Sequence, residues 1–194
     1  MKQSELRTEL EARQEAVDAK LEALGTRLTA EQLAWSPPEG GWGVGQVFEH
    51  LTVAAESYGA PFTRIVERER ESAGAAAASG AYTDPEWRPA WFGGLLYRSL
   101  AKEGNRLPAP KRYKVGPAPR PGVVAAFLAT ERLMAEFRDR CAALDWRKTR
   151  LASPALPLPL IHYNLGDAFR ILVVHAERHA RQIERVLARS PFAG

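Results

Sequence analysis

The chain has 194 residues, with 27 lysines and arginines against 23 acidic residues, a net charge of +4, and 45% hydrophobic residues. This length is typical of one domain, so we expect a single domain over residues 1–194. The apolar content excludes a wholly disordered chain, and no run of 18 apolar residues predicts a transmembrane helix. The charge excess is too small to indicate a nucleic-acid-binding protein.

The single cysteine, Cys141, excludes a disulfide framework and any metal site built from several thiolates. It lies on the apolar face of a predicted helix, which indicates an inert, buried thiol. The segment Met1–Glu5 leads into a charged helical pattern without the apolar stretch of a secretory signal. We therefore expect a cytoplasmic protein with no membrane partner.

The first helix is predicted over residues 3–28, and a turn with two prolines and two glycines at residues 36–41 follows it. Its apolar residues recur at spacings of three, four and seven, which places them on one helical face. They are Leu6, Leu10, Val17, Leu21, Leu24 and Leu28.

The second helix is predicted from about Trp42 to about Glu71. Gly43 is an acceptable N-cap, and the Gln46 side chain, three residues further on, can reach back to the cap backbone. Pro61 lies within the apolar stripe, so we expect it to kink the helix.

Residues 72–121 are the least regular part of the sequence. Residues 72–80 are a run of small residues, and the apolar side chains of residues 87–100 predict a short helix. The stretch 106–120 has four prolines and no acidic residue, which indicates an extended basic loop. Its basic residues are Arg106, Lys111, Arg112, Lys114 and Arg120.

The third helix is predicted over residues 122–145, and the last over residues 164–189. Asn164 is a strong N-cap candidate for the last helix, and Asp167 complements its dipole. No segment shows convincing strand alternation. Four long amphipathic helices therefore predict an all-α four-helix bundle, with an irregular insertion at residues 74–120 between the second and third helices.

His175 and His179 are four residues apart in the last predicted helix, so their imidazoles lie on one side, one turn apart. A helix can offer two nitrogen ligands to one ion in this way. Glu177 points to another side, unlike the zincin glutamate, which directly follows the first histidine. On its own, the pair is more typical of two partly exposed histidines at the edge of the core.

His50 flanks the apolar stripe of the second helix much as His179 flanks that of the last. If these two helices are neighbours, His50, His175 and His179 converge. Three imidazoles without a thiolate would leave a metal with open positions for water or substrate. On its own, His50 is also compatible with a histidine that lines the core.

The segment from Trp42 to Leu51, Trp-Gly-Val-Gly-Gln-Val-Phe-Glu-His-Leu, resembles the segment leading to the first metal-binding histidine of the DinB/YfiT-like superfamily. The segment from His175 to Ile183, His-Ala-Glu-Arg-His-Ala-Arg-Gln-Ile, is similar to the matching motif in that family's last helix. The order and separation of the two motifs also fit. The resemblance covers most of the chain outside the insertion.

This resemblance implies an up-down-down-up four-helix bundle, often dimeric, in which His50, His175 and His179 hold a divalent ion. Zinc, nickel and iron all accept imidazole ligands. The family includes thiol-dependent S-transferases and isomerases that use bacillithiol or mycothiol, and proteins proposed to be hydrolases. The implied function is a metal-dependent enzyme acting on a small molecule. A non-catalytic, stress-associated dimer or small-ligand binding module with a vestigial metal site remains the alternative.

The chain departs from the family pattern at Gly43, where a serine cap is usual, and in its longer insertion. We interpret the change at Gly43 as a slightly weaker helix start. His162 precedes His175 by 13 residues, about 20 Å along a helix, so we interpret it as a non-ligand.

The insertion carries too many large apolar residues for a free surface loop. We expect the 87–100 segment to wall a cleft around the metal, and the basic stretch to lie at its mouth and favour an anionic ligand. We also expect a homodimer formed by helix faces. The apolar residues concerned are Trp87, Trp91, Phe92, Leu95 and Leu96.

Overall fold

A computed structural model of the chain describes residues 1–75, 84–104, 107–156 and 161–192, which are mostly helical, as predicted. The long helices are α1 (Gln3–Thr26), α3 (Val44–Ala75), α5 (Val123–Arg140) and α6 (Leu165–Leu187). The shorter elements are α2 (Ala30–Ala34), α4 (Trp91–Ala101), one 3₁₀ turn (Lys111–Tyr113), and the strands β1 (Arg150–Ala152) and β2 (His162–Asn164).

The long helices pack on one another through two apolar clusters. Helix α3 contacts α5 and α6, helix α1 contacts the same two helices, and α4 lies against α6. One cluster surrounds Phe62, Trp146 and Phe169. The other surrounds Phe48 and Ile183 and includes the neighbours of the histidines on α3 and α6.

The start of α3 confirms the predicted role of Gln46 and corrects the interpretation of Gly43. The Gly43 N–H donates to Gln46 Oε1 at 3.0 Å, and Gln46 Nε2 donates to the Gly116 carbonyl at 2.8 Å. A Cβ atom at residue 43 would lie 1.9 Å from the carbonyl oxygen of Trp35. Glycine is therefore the residue that this close approach requires, rather than a weaker substitute for serine.

Asn164 caps α6 as predicted and also anchors the insertion. Its Oδ1 accepts from the Asp167 N–H at 2.9 Å and from Trp87 Nε1 at 3.0 Å. The Asp167 carboxylate in turn accepts from the Ala90 N–H at 2.8 Å. The chain that precedes α4 is thus bonded to the first turn of α6.

The region between α5 and α6 differs from the prediction. Helix α5 ends at Arg140, five residues before the predicted end, because the chain turns at Cys141. Two short strands were not predicted: β1 pairs antiparallel with β2, with Leu151 opposite Tyr163. Three-residue strands are too short to show an alternating pattern in the sequence.

Part of the predicted insertion lies outside the described residues, including most of the small-residue run at 72–80 and Arg106. Pro61 lies inside α3, as predicted. Among the helices that the structure describes, none has the length and hydropathy needed to cross a bilayer.

Candidate metal centre

Three histidines from two helices meet at one point, as predicted. His50 lies in the second turn of α3, and His175 and His179 lie one turn apart on α6. The Nε2 atoms of His50 and His179 are each 3.1 Å from Nε2 of His175. His162 is exposed in β2 and does not belong to the cluster.

The spacing of two of the three nitrogen pairs fits a metal ion. Two nitrogens bound to one ion at about 2.1 Å lie about 3.0–3.4 Å apart, for angles between about 90° and the tetrahedral value. The candidate ligand atoms of the cluster all lie within 4.8 Å of one another. The three imidazoles could therefore hold a metal ion.

Two neighbouring groups set the orientation of the imidazoles. The Tyr113 carbonyl lies 2.8 Å from His50 Nδ1. Because a carbonyl can only accept, Nδ1 carries the proton, and Nε2 of the neutral ring keeps its lone pair. On the other helix, Gln182 Oε1 lies 2.8 Å from His179 Nδ1 and sets the same tautomer. Such partners fix the ring and raise the basicity of the ligating nitrogen.

The surroundings favour neutral imidazoles, which is the form that binds metal. Burial lowers the pKa of His50, which is 2% exposed, and lowers that of His179 to about 3. Burial, followed by the neighbouring His179 and His50, holds the pKa of His175 well below its ordinary value. At neutral pH the cluster therefore presents lone pairs rather than protons to the pocket.

The histidines lie at the base of an open pocket of about 350 Å³. The Trp42 ring packs against His50 with ring centroids 4.7 Å apart. The other walls combine the backbone turn before α3, the end of α4, the proline-rich segment after it, and polar residues of α6. These wall residues are Gly41, Leu100, Leu107, Pro108, Ala109, Pro110, Arg178 and Gln182.

The predicted wall of the cleft is wrong in most of its residues. From the 87–100 segment, Leu100 lines the pocket. Trp87 is buried beneath α6, where a Cβ atom at Gly166 would lie 2.1 Å from its indole nitrogen. Trp91 is 81% exposed and does not line the pocket.

The proline-rich basic stretch reaches the pocket, as predicted, but its described basic residues do not line it. Arg120 binds Glu49 at 2.7 Å and Glu56 at 3.1 Å, and Arg112 donates to the Pro154 carbonyl. The loop presents its apolar residues 107–110 to the histidines instead. Positive charge at the pocket comes from α6.

Carboxylates and thiols are absent from the described lining of this pocket. Glu177 points away, as predicted, and accepts two hydrogen bonds from Arg13 on α1, at 2.8 and 2.9 Å. Cys141 is buried in the core, and burial raises its pKa to about 11, which keeps the thiol protonated.

Sequence reasoning missed the orienting roles of Tyr113 and Gln182. Gln182 lies within the motif of the last helix, three residues after His179, and helical spacing alone brings it within reach. Tyr113 lies in the stretch interpreted as a basic loop. Because it acts through its backbone carbonyl, no residue type at that position would have signalled the role.

The fold and the site together define a class of protein: mostly helical, with a three-histidine cluster shared by two helices. The family model of the DinB superfamily matches residues 9–183 of this chain. The chain therefore belongs to the DinB superfamily, as its two histidine motifs predicted. Comparisons with curated proteins and with solved structures gave no match.

Proposed function

We propose that this protein is a divalent-metal-dependent enzyme that acts on a small molecule, with His50, His175 and His179 as the ligands of the ion. The observation that carries the proposal is the convergence of three Nε2 atoms at the base of a solvent-accessible pocket. Membership of the DinB superfamily supports it. Zinc, nickel and iron all suit this ligand set.

The ion, when bound, lowers the pKa of a coordinated thiol or water and so favours a nucleophile near neutral pH. The chain itself contributes binding and orientation. The Tyr113 carbonyl and Gln182 hold the imidazoles of His50 and His179 in the ligating tautomer. Trp42 packs against His50 and lines the pocket together with Leu107.

The reaction we favour is transfer of a low-molecular-weight thiol, such as bacillithiol or mycothiol, to a small electrophile; hydrolysis is the second candidate. The described lining of the pocket holds no carboxylate that could serve as a general base. A thiol, with an unperturbed pKa of about 8.5, needs less assistance than water to ionise. The bare lining therefore supports a thiol nucleophile over water.

We further propose that α1, α3, α5 and α6 form the up-down-down-up bundle of a single domain that assembles as a homodimer. The packing of α3 and α1 on both α5 and α6 supports the bundle. Trp91 and Leu95, exposed one turn apart on α4, supply an apolar surface for self-association. Light scattering at micromolar concentration tests the dimer, and a monomer would contradict it.

Elemental analysis of protein purified without an affinity tag tests the metal site. We expect about one ion per chain in the wild type and in His162→Ala, which removes an exposed histidine of β2. His50→Ala should lose most of the bound ion, because two imidazoles hold a divalent ion less well than three. Metal-free wild type that gains no thermal stability from added zinc, nickel or iron would refute the site.

A thiol-conjugation assay tests the reaction. Loss of free bacillithiol or mycothiol in the presence of monochlorobimane should be faster with the metal-loaded wild type and His162→Ala than with His50→Ala. Protein that binds metal tightly but consumes neither thiol nor hydrolysable esters would instead support the binding module. The assay thus separates the two classes of function.

A further inference from the structure

Helix α6 carries a stripe of arginines that the metal site does not use. Arg181 and Arg185 lie in its last two turns, and Arg189 follows just beyond its end. With Arg178, which lines the histidine pocket, they are spaced by three, four and four residues. This spacing places all four side chains along one face of the helix.

The charge of this stripe is poorly compensated. Arg181 approaches Glu103 at 3.5 Å, but that glutamate side chain is 81% exposed. Arg185 and Arg189 form no ion pair with any residue in the described part of the chain. Arg13, by contrast, pairs with Glu177 at 2.8 Å, and both of those side chains are only about one quarter exposed.

The stripe lines two grooves that share lining residues with the histidine pocket. A groove of about 560 Å³ is walled by Arg181, Arg185 and Arg189 and shares Leu107 and Arg178 with the pocket. A smaller one of about 210 Å³ places Glu39 opposite Arg185 and Arg189 and shares Trp42 and Gln182 with the pocket. Arg185 lies six residues past His179, about 9 Å along the helix axis.

We infer that Arg181 and Arg185 bind the oxyanion end of the small molecule whose reacting end reaches the three histidines. The substrate class is then a small molecule with a carboxylate or phosphate group at the end remote from its reacting atom. This inference rests on the proposed function and adds the chemistry of the substrate to it. Adjacent like charges at helical spacing destabilise a helix slightly, and an anion in the groove reverses that cost.

The chemistry of the groove matches this ligand. Guanidinium groups bind carboxylates and phosphates through paired, charge-assisted hydrogen bonds. A concave wall of one charge sign concentrates the field and raises the local concentration of anions. Glu103 and Glu39 are the described acidic groups that face the stripe, and they leave it a net positive charge.

Isothermal titration calorimetry of the full chain with inorganic phosphate and with tricarballylate tests the inference. The two probes distinguish a phosphate-bearing from a carboxylate-bearing substrate. We expect saturable binding of at least one probe, weakened about tenfold or more in the double variant Arg181→Gln/Arg185→Gln. The matched control, Arg132→Gln/Arg147→Gln, removes two exposed arginines elsewhere and should change the affinity less than about twofold.

Three outcomes would overturn the inference. These are the absence of saturable binding, an equal loss of affinity in both double variants, and tighter binding of a single-stranded oligonucleotide than of either small anion. Repeating the titration with His50→Ala separates the two proposals, since anion binding should persist there. Anion binding without metal binding in the wild type refutes the proposed function alone; metal binding without anion binding refutes this inference alone.

Discussion

Tyr113 and Gln182 orient two of the candidate ligands in chemically different ways. His50 is held by a backbone carbonyl, which survives any substitution at residue 113 that leaves the 3₁₀ turn intact. His179 is held by a side chain that can be removed without disturbing the backbone. Gln182 is therefore the position at which the orientation of a candidate ligand can be tested without a change in the backbone.

Gln182→Leu should lower the affinity for the divalent ion by about 10–100-fold, because the His179 ring loses the acceptor that fixes its tautomer. Gln182→Glu keeps an acceptor at this position and should bind the ion at least as well as the wild type. Competition with a chromophoric chelator measures the three affinities. Equal affinity of the leucine variant would show that Gln182 does not position the ligand.

A second group of polar residues lies between α1 and α5 and does not belong to the histidine cluster. Glu131 is 6% exposed and accepts a short hydrogen bond from Gln14, which also donates to Asp18 at 3.2 Å. Burial, followed by the charge of Asp18, raises the pKa of Glu131 from 4.5 to about 8. Burial also raises the pKa of Asp18 to about 6.

Glu131→Gln should stabilise the protein at alkaline pH. The pKa of Glu131 is higher in the folded state than its ordinary value, so the folded state binds the extra proton and stability falls as pH rises from about 4.5 to about 8. The variant removes this loss and should raise the unfolding free energy at pH 9 by roughly 2–4 kcal/mol. Near pH 4.5 the gain should vanish.

Urea unfolding at several pH values measures this effect. Glu136→Gln, on the exposed face of the same helix, is the matched control and should change stability by less than about 0.5 kcal/mol at every pH. A gain from Glu131→Gln that does not depend on pH would contradict the assignment of a buried, protonated carboxyl group.

At the scale of single elements, the start of α3 shows how a packing contact overrides a helix-capping preference. Serine is a better N-cap than glycine in an isolated helix. Here the Trp35 carbonyl occupies the space that a Cβ atom of residue 43 would need. The backbone therefore passes residue 43 so closely that helix-capping preferences do not decide its identity.

Gly43→Ser should destabilise the protein by about 1–3 kcal/mol, despite adding a preferred cap residue, because the backbone of α3 must shift to admit the side chain. Gly59→Ala in the same helix is the control. A Cβ atom there meets nothing within 4 Å, so the gain in helix propensity should stabilise by up to about 1 kcal/mol. Thermal unfolding compares the two, and a stabilising Gly43→Ser would contradict the close approach.

The long helices were predictable because each buries an apolar stripe. The structure differs from the prediction where buried residues continue after a helix has ended. Cys141 and Leu144 keep helical spacing after α5, yet the chain there forms turns around the buried Trp146. In β2, the hydroxyl group of the buried Tyr163 contacts that of Tyr58 at 2.6 Å. Local sequence does not encode this contact. Pattern and burial thus agree, while backbone conformation does not follow from either.

At the scale of the whole molecule, the site was easier to predict than the pocket around it. The three histidines are carried by helices whose faces follow from their spacing. The pocket walls depend on how the insertion returns to the long helices, which is decided by contacts such as that of Trp87 with Asn164. Trp87 and Trp91 are the same residue type, so the sequence does not distinguish them. The hydrogen bond to Asn164 holds Trp87 in a buried position, whereas Trp91 is exposed to solvent.

The first residues of α1 join parts of the molecule that are distant in sequence. The Gln3 side chain is fully buried, donates to the Leu144 carbonyl at 2.7 Å and accepts from the Trp146 N–H at 2.8 Å. The Gln3 backbone N–H donates to the Pro85 carbonyl at 3.0 Å. One residue thus connects α1, the insertion and the turns that follow α5.

Gln3→Ala should destabilise the whole protein by roughly 2–3 kcal/mol, because it leaves the buried Trp146 N–H and Leu144 carbonyl without partners. Urea unfolding followed by tryptophan fluorescence and by circular dichroism should give coincident transitions at lower urea, with an unchanged slope. Glu11→Ala, on the exposed face of α1, should shift the midpoint little. If the fluorescence transition moved to lower urea while the circular dichroism transition did not, Gln3 would stabilise only a local contact and not the cooperatively folded protein.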